Sequence, residues 1–188
     1  MKRARLTCFS VEDYLQFERA SDVRHEYVSG QIFAMVGTTD AHNTAALNIA
    51  SLLRDHLRGG PCRAYISDMK LRVDAADAFY YPDVFVTCDP RDSDSPHYKR
   101  FPSLIVEVLS PSTETLDRRE KLRNYRTLET LQEYVLVSVE ERTIEVFRRE
   151  PTGEWTVDTL TEGDPVELHS VQLTLSVAQV YEDVTTAR

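Results

Sequence analysis

Cysteine is scarce. Cys8, Cys62 and Cys88 are scattered through 188 residues, odd in number, with no Cys-x-x-Cys pair. That pattern indicates neither a zinc knuckle nor a disulfide framework. Long apolar runs are also missing. None approaches the roughly 20 residues a membrane helix needs, and no apolar signal core follows the basic start Met1-Lys2-Arg3-Ala4-Arg5, so the expectation is a cytoplasmic chain without a membrane partner. A Gly-x-Ser-x-Gly elbow is absent, and Ser110 and Ser112 have no histidine nearby in sequence, which speaks against serine-hydrolase chemistry. Positive charge is outnumbered, 22 Lys and Arg against 31 Asp and Glu, for a net charge of -9. So acidic a chain is poorly suited to bulk, non-specific nucleic-acid binding, yet acids gathered at a metal site and local basic patches are compatible with a nuclease. Repeats, linkers and low-complexity tracts are absent as well. With 41% hydrophobic and 28% charged residues, residues 1–188 read as one ordinary globular domain.

The patterning predicts a mixed α/β chain. Ser10 with Asp13 starts a helix to about Ala20. Glu26–Val28 and Gln31–Met35 flank Ser29-Gly30, a hairpin signal. Thr39 or Asp40 starts a helix to about Leu57, with Ala45, Ile49, Leu52, Leu53 and Leu57 as its apolar positions, and Gly59-Gly60-Pro61 ends it. Strands follow near 63–73 and 78–88, then a polar, mobile loop from Asp89 to Arg100. Leu104–Leu109 is apolar except at Glu107, the pattern of a strand covered on both faces. A helix over 114–131 and a buried strand over 134–139 complete a β-α-β unit with a parallel pair. Thr143–Phe147 and Trp155–Leu160 alternate as outer antiparallel strands do, with Gly153 in the turn. Val171–Val177 leads to a short terminal helix. The architecture expected is a central mixed β-sheet flanked by helices.

Two carboxylates carry the chemical argument. Asp83 follows Pro82 at the start of Val84-Phe85-Val86, and Glu107 sits within Leu104–Leu109. An unpaired charge in a dry interior costs several kcal/mol or neutralises by shifting its pKa, so Glu107 needs a cation, a metal or hydrogen bonds. Counting the following helix at 100° per residue, Lys121 falls on the face defined by Tyr125, Leu128 and Leu131, beside Asp117 and Asn124. Arg119, Arg123, Arg126 and Thr130 fall opposite. Glu107 is the evident partner for Lys121. Carboxylates converging from neighbouring strands can hold Mg²⁺ or Mn²⁺, which polarise a phosphate and lower the pKa of a bound water. A lysine there can orient that water or stabilise developing charge.

These residues resemble the PD-(D/E)XK nuclease superfamily, with its restriction-endonuclease-like fold, and within it the Uma-two endonuclease family. The carrying segments are Arg24–Ile32 with Met35 and His42, Tyr81-Pro82-Asp83-Val84, Phe101-Pro102, and Glu107-Val108-Leu109-Ser110-Pro111-Ser112-Thr113 with Asp117, Lys121 and Tyr125. One feature departs from the superfamily. Its lysine stands two residues after the glutamate, where this chain has Leu109; the resemblance implies that Lys121 is a migrated replacement.

The resulting expectation is a Mg²⁺- or Mn²⁺-dependent endonuclease acting on DNA. Asp83, Glu107 and the Val108 carbonyl would hold the metal, Lys121 would assist the water, and Glu26 would complete the acid cluster. RNA is not separable from DNA as substrate by these residues. The competing expectation is a catalytically inactive module of the same fold, built on a structural Glu107–Lys121 ion pair. Glu26 can equally pair with a base on the sheet, His42 can be a packing residue, and Asp117 can serve the first helical turn. The outer strands around Trp155 are a candidate homodimer interface.

Overall fold

The computed structural model describes residues 8–111 and 114–185. The basic start and the Ser112-Thr113 pair lie outside the described residues.

Local chemistry sets the N-terminal elements. Ser10 caps α1 (Val11–Ala20): its hydroxyl accepts from the Asp13 N–H, and the Asp13 carboxylate reaches back to the Ser10 N–H. A cap of this kind contributes about 1 kcal/mol. β1 (His25–Val28) and β2 (Gln31–Ala34) form the expected hairpin. Its two turn residues, Ser29 and Gly30, both have positive φ, at 47° and 88°, which matches the strand twist in a two-residue turn. Thr39 caps α2 (Asp40–His56), which buries Ala41, Ala45, Ile49 and Leu53; Leu52 and Leu57 are only half-buried.

The two strands expected at 63–73 and 78–88 are each broken. The first gives β3 (Arg63–Ile66) and β4 (Lys70–Val73), the second β5 (Ala78–Tyr80) and β6 (Val84–Thr87). β3 pairs antiparallel with β6 and β4 with β5, so one long hairpin passes from one sheet into another. The break in its return limb is Tyr81-Pro82-Asp83, where proline has no N–H to give a ladder. Cys62 and Cys88, flanking the Arg63–Thr87 pair, are joined by a disulfide. This corrects the sequence expectation: residues 26 apart in sequence become cross-strand neighbours only through the hairpin.

The loop after Asp89 is ordered rather than loose. It holds a 3₁₀ turn at Pro90–Ser93 and β7 (Tyr98–Lys99). The buried Asp92 carboxylate accepts from the Thr87 hydroxyl and from the Arg100 and Phe101 N–H groups. Lys99 Nζ donates to the Asp92 and Ser95 carbonyls.

β8 (Pro102–Leu109), buried at all its positions, pairs parallel with β9 (Glu133–Ser138), as a β-α-β unit requires. The connecting helix is shorter than expected. It comprises α3 (Glu114–Leu116), a π-helical turn at Asp117–Lys121 and α4 (Leu122–Tyr125). Leu128 and Leu131 are buried in the turns that follow. The chain leaves the helix where Arg149 donates to the carbonyls of Arg126, Leu128 and Glu129, a side-chain partner for the unpaired carbonyls at a helix end. β10 (Thr143–Arg149) and β11 (Trp155–Leu160) pair antiparallel, with Gly153 at φ +87° in their turn. β12 (Pro165–Leu168) pairs with β13 (Leu173–Ser176) ahead of α5 (Val177–Val180).

The central sheet is mixed, in the order β11-β10-β9-β8-β6-β3, beside a five-stranded sheet ordered β2-β1-β5-β4-β7. One face of the central sheet, with Val84, Val86, Leu104, Val106 and Val108, packs on α2. The other, with Phe85, Ile105, Leu109 and Leu136, packs on Tyr125, Leu128 and Leu131 and on Leu71 and Tyr80 of the second sheet. No helix among the described residues is long and apolar enough to cross a membrane.

Candidate active site

Strand alternation places Glu107 on the face shared with Ile105 and Leu109, under the π-helical turn. Asp83, at the break between β5 and β6, meets the same point on β8. Two hydrogen bonds clamp them together: the Asp83 N–H donates to Glu107 Oε2 at 3.2 Å, and the Val108 N–H donates to Asp83 Oδ2 at 2.7 Å. The second is a charge-assisted bond of the short kind.

Lys121 is the centre of charge. Its Nζ lies 3.2 Å from each of Glu26, Glu107 and Asp117. Glu26 arrives from β1, and its Oε1 also accepts from the Tyr81 N–H at 3.3 Å. Glu107 Oε1 accepts a second bond, from the Tyr125 hydroxyl at 2.9 Å. Asp117 Oδ1 is buried and in ionic contact with Lys121, but no donor is aligned to it among the described residues. All four sequence candidates, Glu26, Asp83, Glu107 and Lys121, therefore converge. Val108 enters through its N–H, bound to Asp83, while its side chain packs in the α2-facing core.

Burial raises the Glu107 pKa well above the usual carboxyl range; Lys121 pulls it down, and Asp117, Asp83 and Glu26 push it up. Lys121 goes the other way from a solitary buried lysine. Burial alone would lower its pKa, but Glu107, Glu26 and Asp117 hold it well above the ordinary value. The ammonium stays charged, and Glu107 is an acid whose protonation its surroundings favour. Tyr125 is likewise held protonated, by burial first and by the Glu107 charge next.

The sequence underweighted His42 and missed the role of Tyr125. His42 sits in the first turn of α2, where its N–H donates to the Thr39 cap. Its Nε2 lies 3.2 Å from Asp83 Oδ2, and its buried Nδ1 has no hydrogen-bond partner among the described residues. Burial lowers its pKa, but the Asp83 hydrogen bond and charge outweigh that, and the net shift is upward. The readable signal was the N-cap at Thr39, which fixes His42 at the third helical position. For Tyr125 it was the four-residue step from Lys121 along one helix face.

The donor set suits a hard divalent cation. It is all oxygen, it sets four carboxylates against one ammonium, and one buried carboxylate oxygen lacks an aligned donor. Those are the preferences of Mg²⁺ and Mn²⁺. Glu26, Glu107 and Asp117 are turned toward Lys121, and among the described residues no group of three His, Cys, Asp or Glu is arranged as a ready-made metal cage.

Residues 11–178 match the model of the family described as Uma2, "Putative restriction endonuclease". An uncharacterized protein of Synechocystis is 40% identical over 172 residues, covering 92% of this chain and 90% of that one. A second uncharacterized protein of the same organism is 31% identical over 150 residues, covering 79% and 85%. The crystal structure of a "putative nuclease belonging to DUF820" from Anabaena variabilis superposes with a TM-score of 0.74 at 18% identity, covering 92% of this chain and 97% of that one. At that identity the likeness is one of fold.

Proposed function

Because the chain belongs to the Uma2 family, we propose that it is a divalent-metal-dependent endonuclease that hydrolyses phosphodiester bonds of DNA. The observation that carries this reading is the convergence of Asp83 and Glu107, tied through the Asp83 and Val108 N–H groups, with Lys121 beside them. Asp83 and Glu107 would hold Mg²⁺ or Mn²⁺, with the Val108 carbonyl as a further oxygen. Bound there, the metal supplies Lewis acidity toward a phosphate and a lowered pKa for water.

The remaining roles follow from this chain's own groups. Lys121, kept charged by three carboxylates, places a fixed positive charge beside the reacting phosphate and orients a water as a donor. Glu26 and Asp117 position that ammonium. Tyr125 and the Asp83 N–H fix the Glu107 carboxylate from two sides. His42 holds the Asp83 carboxylate in place from α2.

The test is Mn²⁺ titration calorimetry on wild type and Asp83→Ala, with cleavage of plasmid and oligonucleotide DNA in parallel. Binding and cleavage that both disappear in the variant support the assignment; metal-dependent cleavage by folded Asp83→Ala rules it out. A second reading, a non-catalytic module of the same fold, is favoured by one observation: three of the four carboxylates are already in ionic contact with Lys121. It expects no Mn²⁺ binding by the folded wild type.

A further inference from the structure

Fifteen arginines are described, and seven of them, Arg24, Arg58, Arg72, Arg91, Arg100, Arg118 and Arg148, are ion-paired to a carboxylate. Eight have no carboxylate partner among the described residues. Four of these eight, Arg119, Arg123, Arg126 and Arg149, come from one stretch of helix and the hairpin packed beneath its end. The helix that buries Asp117, Lys121, Asn124 and Tyr125 exposes Arg119, Arg123 and Arg126. At the end of this row Trp155, half-buried on β11, has two guanidiniums near its ring, with Arg126 Cζ 5.3 Å and Arg149 Cζ 5.0 Å from its centroid. Arg126 also lies 5.7 Å over the Phe147 ring.

In a chain of net charge -9, such a row is not needed to balance local acids. We propose that Arg119, Arg123 and Arg126, continued by Arg149 and Trp155, form the surface that carries the phosphate backbone of a DNA duplex. The choice of DNA rests on the nuclease reading above; the surface itself rests on the uncompensated arginines. Guanidiniums suit phosphate because their planar fork donates two parallel hydrogen bonds. Arg119, Arg123 and Arg126 have exposed side chains free to make them. Arg149, already donating to three carbonyls, adds fixed charge and holds Trp155 in place. The surface has a boundary. The neighbouring cleft of about 510 Å³ is lined by Arg149 and by Asp89, Glu129 and Glu150; Arg91 compensates Asp89 and Glu129, which leaves Glu150 as the acid at the edge of the surface. The same helix thus turns Lys121 inward to the carboxylates and its arginines outward, linking strand capture to the site.

The test measures binding of a fluorescently labelled DNA duplex by anisotropy in EDTA, where no metal-dependent turnover occurs. Three proteins are compared: wild type, Arg123→Glu with Arg126→Glu, and Arg54→Glu with Arg63→Glu. The last pair are exposed, carboxylate-free arginines elsewhere and change the net charge equally. The proposal expects at least a tenfold loss of affinity in the first pair and less than twofold in the second. It also expects a shallower salt dependence in the first pair, by about 0.9 for each phosphate no longer neutralised. Equal losses in both pairs, no loss in either, or no binding by wild type overturn it. So does a changed sedimentation state in the Arg123/Arg126 variant, which would make this face a contact between copies of the chain. Arginine-dependent binding without Mn²⁺-dependent cleavage would sink the nuclease reading and leave this surface standing. Asp83-dependent cleavage with unchanged binding by the Arg123/Arg126 variant would do the reverse.

Discussion

At the scale of single residues, Lys121 has the largest consequence. It is buried against three carboxylates, and removing one partner of a buried ion pair costs about 3–5 kcal/mol, because the other charge is left uncompensated. Lys121→Met is therefore expected to lose about that much in urea denaturation at pH 7, and to recover part of it at lower pH as the acids take up protons. A loss under about 1 kcal/mol would show the cluster already neutral. His42 gives a pH signature. Its folded pKa is raised by Asp83, so the native state binds the proton more tightly than the unfolded chain. Its stabilisation is present below the unfolded histidine value of about 6.5 and is lost as pH rises through the higher folded value. In EDTA, wild type should lose stability over that interval and His42→Gln should show a flatter curve. The meeting of Glu107 with Lys121 was legible in the sequence because an acid inside an apolar strand and a lysine on an apolar helix face each need a partner. An acid after a proline more often marks a turn or strand entry, and Asp83 was singled out by the company of Glu107 and by the family resemblance. Asp117 was read chiefly as serving the first helical turn, although the helix count already set it beside Lys121, where it lies.

At the scale of elements, short-range chemistry was readable and long-range pairing was not. The cap at Ser10, the Ser29-Gly30 turn and the Gly153 turn each depend on neighbours within a few positions, and all form as expected. The limbs 63–73 and 78–88 read as single strands because apolar alternation carries no mark of which sheet a residue joins. The helix over 114–131 was overextended because Leu128 and Leu131 keep helical spacing, while their burial comes from the turns that follow α4. The Asp89–Arg100 loop read as mobile because polar composition does not reveal Asp92 as the shared acceptor of three donors. Asp92→Ala should leave those donors unsatisfied. We expect a loss of about 2–4 kcal/mol and faster amide exchange at Arg100 and Phe101; unchanged exchange there would show the loop is held by other contacts. Leu53, fully buried in α2, should cost about 3–5 kcal/mol on change to Ala, read from the same denaturation curves.

At the scale of the whole molecule, the mixed sheet with its parallel β8–β9 pair was readable from the β-α-β pattern, whereas the Cys62–Cys88 disulfide was not. That bond closes a 26-residue separation across the hairpin that joins the two sheets. A cross-link of that span stabilises by about 3–4 kcal/mol in the chain-entropy picture. Reduction of the folded protein should lower its unfolding free energy by that order, and Cys62→Ser should match the reduced wild type. If the variant and the oxidised wild type unfold alike, the bond contributes nothing.

The arrangement around Lys121 bears on how such a protein is made. Zinc fingers and similar modules stay unfolded until their ion arrives, because its binding free energy is their folding free energy. Here the chain brings its own counterion to that assembly. Lys121 lies against three of these acids, so a chain leaving the ribosome in a metal-poor compartment is expected to reach the same shape as one that meets an ion on the way.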